Sequence, residues 1–415
     1  MAKATNKNPS VNAGEIEVHV RFGRTVVGSH IDREISRSDL SGDISTRRDR
    51  VYIFDFSATQ FINVSSSQYI IAFAVKCARH RWRFQLIPPD SRRVRDFWRL
   101  WNFFDALVLA TDTALSTIVH PDARHLLAEE QTTFRARSTA TTYQTGGLPL
   151  RSQNFFGYHS ILLSGKASGM VAVSETEQWR TKEIRDILDK GLAIRSDYLA
   201  SRVIFEAIFN ALKHPGAQII QTASWHPKLY QRSSGETAED PKGPFSLVFW
   251  DNGKSFTEIM RRALIDGIKL RSNVDPTYKT SYYLEYADIT YDEHMKKEVI
   301  LNSDIDVTIE TDEEIRLLST IFPGISTSGP EADEDREGNI MSRRGMGLYT
   351  LVETVCNTLG GKVSFRTGRY FMQLSKAGPR KQRDHGVDLV AKISKVPANV
   401  PTFYGNMLSI DLQAE

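Results

Sequence analysis

Three short stretches of the sequence combine residue types and spacing that suit chemistry on a phosphate. Glu206 and Asn210 are four residues apart in a segment whose apolar positions recur at helical spacing. That separation stacks both side chains on one face of a helix. An amide oxygen is a hard ligand suited to Mg²⁺, and a neighbouring carboxylate can orient or deprotonate a nucleophile. An amphipathic helix places polar residues at the same spacing on its solvated side, so the pair alone leaves both readings open. Asp251-Asn252-Gly253 closes an apolar run from Phe245 to Trp250. This puts a carboxylate at the end of a buried strand, although Asp-Asn-Gly is also an ordinary turn sequence. Gly345 and Gly347 precede a helical pattern. Glycines there let backbone approach an anion at a helix N-terminus, where free N–H groups favour negative charge. Arg343 and Arg344, just before them, reach the same anion or remain solvated.

The elements that must carry these residues follow from periodicity. Leu199, Val203, Phe205, Ile208, Phe209 and Leu212 predict one helix from Asp197 to His214, stopped by Pro215-Gly216. Phe245 to Trp250 reads as a strand, the segment after Gly347 as a helix ending at Gly360-Gly361, and "GKVSFRTGRYFMQLS" as a hairpin. Nearer the N-terminus, Val51 to Phe56 predicts a buried strand, Ser66 to Ala78 a helix, and Arg83 to Ile87 a second strand. Pro88, Pro89 and Asp90 break that strand, and Ser91 opens a helix with Val94, Phe97, Trp98 and Trp101 on its apolar face. Alternation of strand and helix implies an α/β layer with at least one parallel strand pair. Ser65, Ser66 and Ser67 stand where a helix cap is expected.

A chain of 415 residues accommodates two domains, and 40% apolar with 25% charged residues is a globular composition. No apolar run approaches the ~18 residues that span a bilayer. The polar start, Met1 to Asn12, lacks a secretory apolar core, so a cytoplasmic location is expected. Cys77 and Cys356 fall in different regions without partners at metal-ligand spacing and are expected to be buried thiols. A net charge of +3 does not mark the whole surface for nucleic acid. Arg79, Arg81, Arg83, Arg92, Arg93, Arg95 and Arg99, interleaved with Trp82, Trp98 and Trp101, suit either a basic aromatic surface or a solvated amphipathic helix. Residues 116–146 lose periodicity and suit a connector, and Glu331 to Glu337 suits an acidic loop.

Two resemblances organise these readings. The stretch from Val51 to Trp98, with "DFS", "FIN", a serine cluster and a helix in that order, resembles a STAS domain, the fold of anti-sigma-factor antagonists. Asn63 and Ser66 stand where that family has Asp and Gly. "EAIFNALKHPGA" resembles the N box of histidine kinases and anti-sigma kinases, "FSLVFWDNGKSF" their first glycine box, and "RRGMGLYTLVETVCNTLGGKVSF" their second. Ser255 occupies the place of the first box's second Gly, and "PTFYGNMLSIDL" is similar to the closing strand. Three motifs in the right order, each on the expected element type, are jointly specific.

The resemblance implies a flexible tail over 1–14, a STAS-like α/β layer over 15–118 and a connector over 119–145. A GHKL (Bergerat) α/β sandwich then occupies 146–415, with 254–344 as an unusually long ATP lid; the expected fold class is thus α/β and α+β. It implies Mg-ATP binding, with Glu206 as general base and Asn210 as the Mg²⁺ ligand. Lys213, His214, Arg344, Gly345, Gly347 and Leu348 fall around the phosphates, and Asp251 with Gly253 at the adenine. Ser65 aligns with the serine phosphorylated in antagonist domains. Gyrase- and MutL-type relatives carry a following transducer domain, and histidine kinases a phosphoacceptor His on a helical hairpin; His120 and His125 lie in no such context. An ATPase or serine/threonine-type kinase acting in partner switching remains, or else a non-catalytic ATP-gated switch in a signalling or defence system. Its partners would be proteins, a second copy of the chain among them, with nucleic acid less favoured and no membrane.

Overall fold

The computed structural model describes residues 16–28, 30–38, 50–126, 158–162, 207, 217–225, 244–256, 289–292, 298–301, 351–352, 354–376, 389–396 and 399–413. These residues form mixed helices and sheets, and the chain divides into two compact units. The first takes residues 1–99, 107–148 and 397–401; the second takes 100–106, 149–396 and 402–415.

In the first unit, β1 (Ile16–Arg21), β2 (Thr25–Val26), α1 (His30–Ser38), β3 (Arg50–Asp55), β4 (Phe61–Ile62), α2 (Val64–His80) and β5 (Arg83–Ile87) follow in order. A three-stranded sheet has the order β1-β3-β5 and is parallel throughout. Its middle strand, Arg-Val-Tyr-Ile-Phe-Asp, is buried from Arg50 to Phe54, as an unbroken apolar run should be when both faces are covered. The edge strand β1 instead alternates between buried and exposed positions from Glu17 onward. Aromatic rings fill the layer: Phe22 stacks on Phe56 at 4.2 Å, and Phe54 on Phe73 at 4.8 Å.

The start of α2 differs from the sequence expectation. Asn63 caps the helix, its side-chain oxygen accepting from the Ser66 N–H at 2.8 Å, so Ser65 lies inside the first turn and caps nothing. The capping explanation of the serine cluster is thereby corrected. Ser67 is buried and bonded inward, its hydroxyl donating to the Asn63 carbonyl and accepting from the Trp98 indole N–H at 3.0 Å. Asn63→Ala is expected to lower the stability of the first unit by about 1 kcal/mol, the usual worth of a side-chain cap, whereas Ser65→Ala should change it by only a few tenths. Urea melts of the two variants measure the difference. At its other end α2 stops on Arg81 in the left-handed region, with the Trp82 N–H returning to the Cys77 carbonyl.

Next comes α3 (Arg92–Leu100), followed by α4 (Phe103–Thr111) and α5 (Leu115–Ile118). Val94, Phe97 and Trp98 are buried while Arg92 and Arg93 are exposed, so α3 is the amphipathic helix of the two alternatives. Trp82 and Trp101 are buried as well, which removes the tryptophans from any basic aromatic surface. Asp96 pairs with Arg99 at 2.8 Å and lies 3.7 Å from Arg92. Beyond α5 the chain stays against this sheet, Val119 bridging to Leu86 and the His120 N–H donating to the Leu86 carbonyl.

The strands of the second unit are β6 (His159–Leu162), β7 (Ile219–Trp225), β8 (Pro244–Asp251), β9 (Ile289–Asp292), β10 (Glu298–Leu301), β11 (Lys362–Thr367), β12 (Tyr370–Lys376), β13 (Leu389–Lys395) and β14 (Asn406–Gln413). They make one sheet in the order β6-β7-β8-β14-β11-β12-β13-β10-β9, and each neighbouring pair is antiparallel. The last strand is thus inserted at the middle, between β8 and β11. Phe245, Leu247, Val248, Trp250, Val363 and Ile410 are almost fully buried and form its core. β9 and β10, which fall inside the stretch expected to be a lid, extend the sheet through β13. Before β11 the chain leaves a helical turn at Thr354–Thr358 through Gly360 at φ +63°, with the Gly361 N–H reaching the Val355 carbonyl. A methyl group on Gly361 would come within 2.6 Å of the Leu412 side chain and 2.7 Å of the Asp411 carbonyl oxygen, so only glycine allows this approach to β14. Cys77 and Cys356 are buried free thiols; burial pushes the Cys77 thiol up and the Cys356 thiol up to about 12.

Candidate functional site

Asp251 ends β8 in the interior of the second unit, only 5% exposed. It lies opposite Ile220 of β7 on one side and Asn406 of β14 on the other. Two neighbours explain how a carboxylate comes to rest there. Asn252 turns its side-chain oxygen back to accept from the Gln218 and Ile219 N–H groups, at 2.7 and 3.0 Å, satisfying the free start of β7. Gly405, at φ +80°, lies so close to the Asp251 carbonyl that any Cβ would overlap it. The Trp250 indole fixes the same turn by donating to the Tyr404 carbonyl at 2.9 Å.

The two oxygens of Asp251 are treated differently. Oδ1 accepts from the Gly253 N–H at 2.9 Å and from the Asn406 amide at 3.2 Å. Oδ2 has, among the described residues, only a 3.4 Å contact to the same amide, beyond the usual N–H···O range. A side chain on Gly253 would start 2.8 Å from Oδ1, so glycine is what lets this backbone N–H face the carboxylate. Burial pushes the Asp251 carboxyl up to about 7, against the Gly253 N–H and the Asn406 amide, which both favour the charged form. A buried carboxylate with a strongly raised pKa, and an oxygen that no donor among the described residues reaches at ordinary range, is the kind of group that marks candidate functional sites.

Asn406 is the centre of the surrounding network. Its amide nitrogen also donates to the Lys254 carbonyl at 2.7 Å. Its oxygen accepts from the Thr367 hydroxyl at 2.8 Å and from the Phe256 N–H at 3.0 Å. The Phe256 N–H is shared with the Thr367 oxygen, also at 2.8 Å. Both Asn406 and Thr367 are buried, 4% and 2% exposed. Neither was singled out by the sequence, since their pairing depends on β14 lying between β8 and β11.

Comparison with known proteins returns no match: no family model fits the chain, and neither a curated protein nor a solved structure matches it. Of the sequence-expected site residues, the described structure brings together Asp251 and Gly253. Glu206, Asn210, Lys213, His214, Arg343, Arg344, Gly345, Gly347 and Leu348 lie outside the described residues. Ser65 is half-buried in the first turn of α2, in the other unit. Among the described residues no group of three or more His, Cys, Asp or Glu side chains is placed to hold a metal ion. None of their helices is long and apolar enough to cross a membrane.

Proposed function

We infer that the second unit binds Mg-ATP in the manner of GHKL ATPases, and that the chain works as an ATPase or serine/threonine-type kinase in a partner-switching system. The observation that carries this reading is the Asp251 carboxylate, buried at the end of β8 with Oδ1 held by internal donors and, among the described residues, only the 3.4 Å Asn406 contact at Oδ2. An adenine amino group is the donor such an oxygen suits, because a buried acceptor gains most from a complementary N–H that water cannot replace. Asn210 would hold the Mg²⁺ that neutralises the phosphates, and Gly345 with Gly347 would admit the phosphates to a helix N-terminus. Titrating the full-length protein with Mg-ATP and Mg-GTP in a calorimeter tests the reading. Saturable ATP binding supports it, and its absence overturns it.

Ser65 is the phosphoacceptor this reading offers within the chain. With Asn63 as cap, its hydroxyl is not needed to hold the helix. Phosphate in the first turn would also gain from the helix dipole. Incubation with Mg-ATP followed by intact-mass and peptide analysis is expected to show one added phosphate, lost in both Ser65→Ala and Glu206→Gln. ATP consumption without added mass would assign the first unit to docking and the phosphate to water or another protein.

A further inference from the structure

We propose that Asn406 is the positioning residue of the nucleotide site, a single side chain that holds Asp251 as a base acceptor and ties it to the backbone where the long insertion begins. The proposal rests on the nucleotide reading of Asp251. Its geometry does not depend on the three phosphate and adenine motifs, because Asn406 lies in the closing strand and Thr367 in the preceding hairpin.

The amide of Asn406 uses both of its ends. On the donor side it meets Asp251 Oδ1 at 3.2 Å and the Lys254 carbonyl at 2.7 Å. On the acceptor side it takes the Thr367 hydroxyl and the Phe256 N–H. A flip would set the amide nitrogen against the Phe256 N–H and the amide oxygen against the Lys254 carbonyl, so the nitrogen is obliged to face Asp251. Thr367 acts through Asn406, its hydroxyl supporting this orientation by donating to the amide oxygen. One consequence is that Oδ1 is occupied and Oδ2 is the oxygen presented to a ligand. A second is that the base acceptor and the residues from Lys254 to Phe256, at the root of the insertion, cannot move independently.

Among the described residues, the groups that face the Asp251 carboxylate are the Gly253 N–H from its own turn and the Asn406 amide from β14; Thr367 of β11 is neutral and bonds to that amide. Removing the amide donor leaves burial less opposed, so the carboxylate is formed at higher pH. A residue that served packing alone would not move that pH.

The experiment measures Mg-ATP affinity between pH 6 and 9 for the full-length wild type, Asn406→Ser and Thr367→Val, with melting temperature recorded for each. Affinity is expected to fall roughly ten-fold at pH 7 in Asn406→Ser, the loss of one hydrogen bond to a charged group. The midpoint of its rise with pH should move upward by about one unit. Thr367→Val should move both in the same direction by less, and Phe256 amide hydrogen exchange should become faster in both variants. Thr367→Val keeps the side-chain shape and decides the matter if Asn406→Ser does not melt cooperatively. Lowered melting temperature with unchanged affinity and unchanged pH midpoint would overturn the proposal and leave the nucleotide reading standing. Absence of nucleotide binding by the wild type would overturn both.

Discussion

Asp251→Asn is expected to weaken Mg-ATP binding about ten- to hundred-fold while making the nucleotide-free second unit more stable above neutral pH. The substitution keeps the shape and an oxygen at the Oδ1 position, where the Gly253 N–H and the Asn406 amide converge. It turns Oδ2 into an NH₂ group, which presents a donor to the adenine amino group. Losing a charge-assisted bond in a buried site costs roughly 1.5–3 kcal/mol. The stability effect has the opposite sign. The folded carboxyl titrates at about 7, above its ordinary 3.8, because burial disfavours the charge. A group with a raised folded pKa contributes stability that is fully present below the unfolded value and is lost as pH rises through the folded one. With the carboxyl raised from 3.8 to about 7, the loss is on the order of 4 kcal/mol by pH 8, and an amide suffers none of it. Wild type and variant should therefore have similar stability below about pH 4 and diverge between about pH 4 and 7. Nucleotide affinity of the wild type should rise around pH 7 as the folded carboxylate forms. The wild-type to variant ratio at each pH cancels titration of the triphosphate itself. Paired urea melts and calorimetric titrations check both halves, and equal affinities in a folded variant would remove Asp251 from the site.

How much of this was readable beforehand depends on whether a residue's role was local. The buried β3 and β8 are apolar runs bounded by breakers, and a run of that kind is legible because its burial needs no knowledge of neighbours. The end of the helix before β11 was legible for a similar reason, since Gly360 and Gly361 supply the left-handed exit and the close approach in adjacent positions. Parallel pairing of β3 and β5 followed from the intervening helix. The cap of α2 was misassigned because Ser65, Ser66 and Ser67 compete with Asn63 for the same signature, and only the extended backbone of Asn63 and its bond to the Ser66 N–H place the boundary two residues earlier. The Arg and Trp cluster left two readings open because sequence proximity does not say which face a side chain takes. In the fold the tryptophans turn inward, Trp98 to the Ser67 hydroxyl and Trp101 to the Ser224 carbonyl. Least legible was the Asp251 network. Asn406 follows Asp251 by more than one hundred and fifty residues, and the likeness of "PTFYGNMLSIDL" to a closing strand does not say that Asn406 lies opposite Asp251.

Glu206→Gln should leave Mg-ATP binding close to that of the wild type and reduce phosphate release or transfer by about 10²–10⁴-fold, the usual contribution of a positioned general base. Glutamine matches glutamate in size and keeps one acceptor oxygen, so substrate still binds, but the amide cannot take a proton from an attacking water or hydroxyl. Asn210→Ala should act in the other sense, weakening Mg-ATP binding itself, because an amide oxygen that ligates Mg²⁺ contributes before the chemical step as well as during it. The two residues are one helical turn apart and face the same way in the expected helix, so any general disturbance of that helix would affect both variants alike. Opposite partition between affinity and turnover is therefore the signature of separate roles in one site. Calorimetry gives the affinities, and single-turnover release of labelled phosphate gives the rates. If the wild type binds Mg-ATP yet neither hydrolyses nor transfers it with any partner protein, the general-base role of Glu206 is withdrawn. The long insertion between Gly253 and Gly345 would then be what nucleotide acts upon, with Asn406 joining the base acceptor to its root.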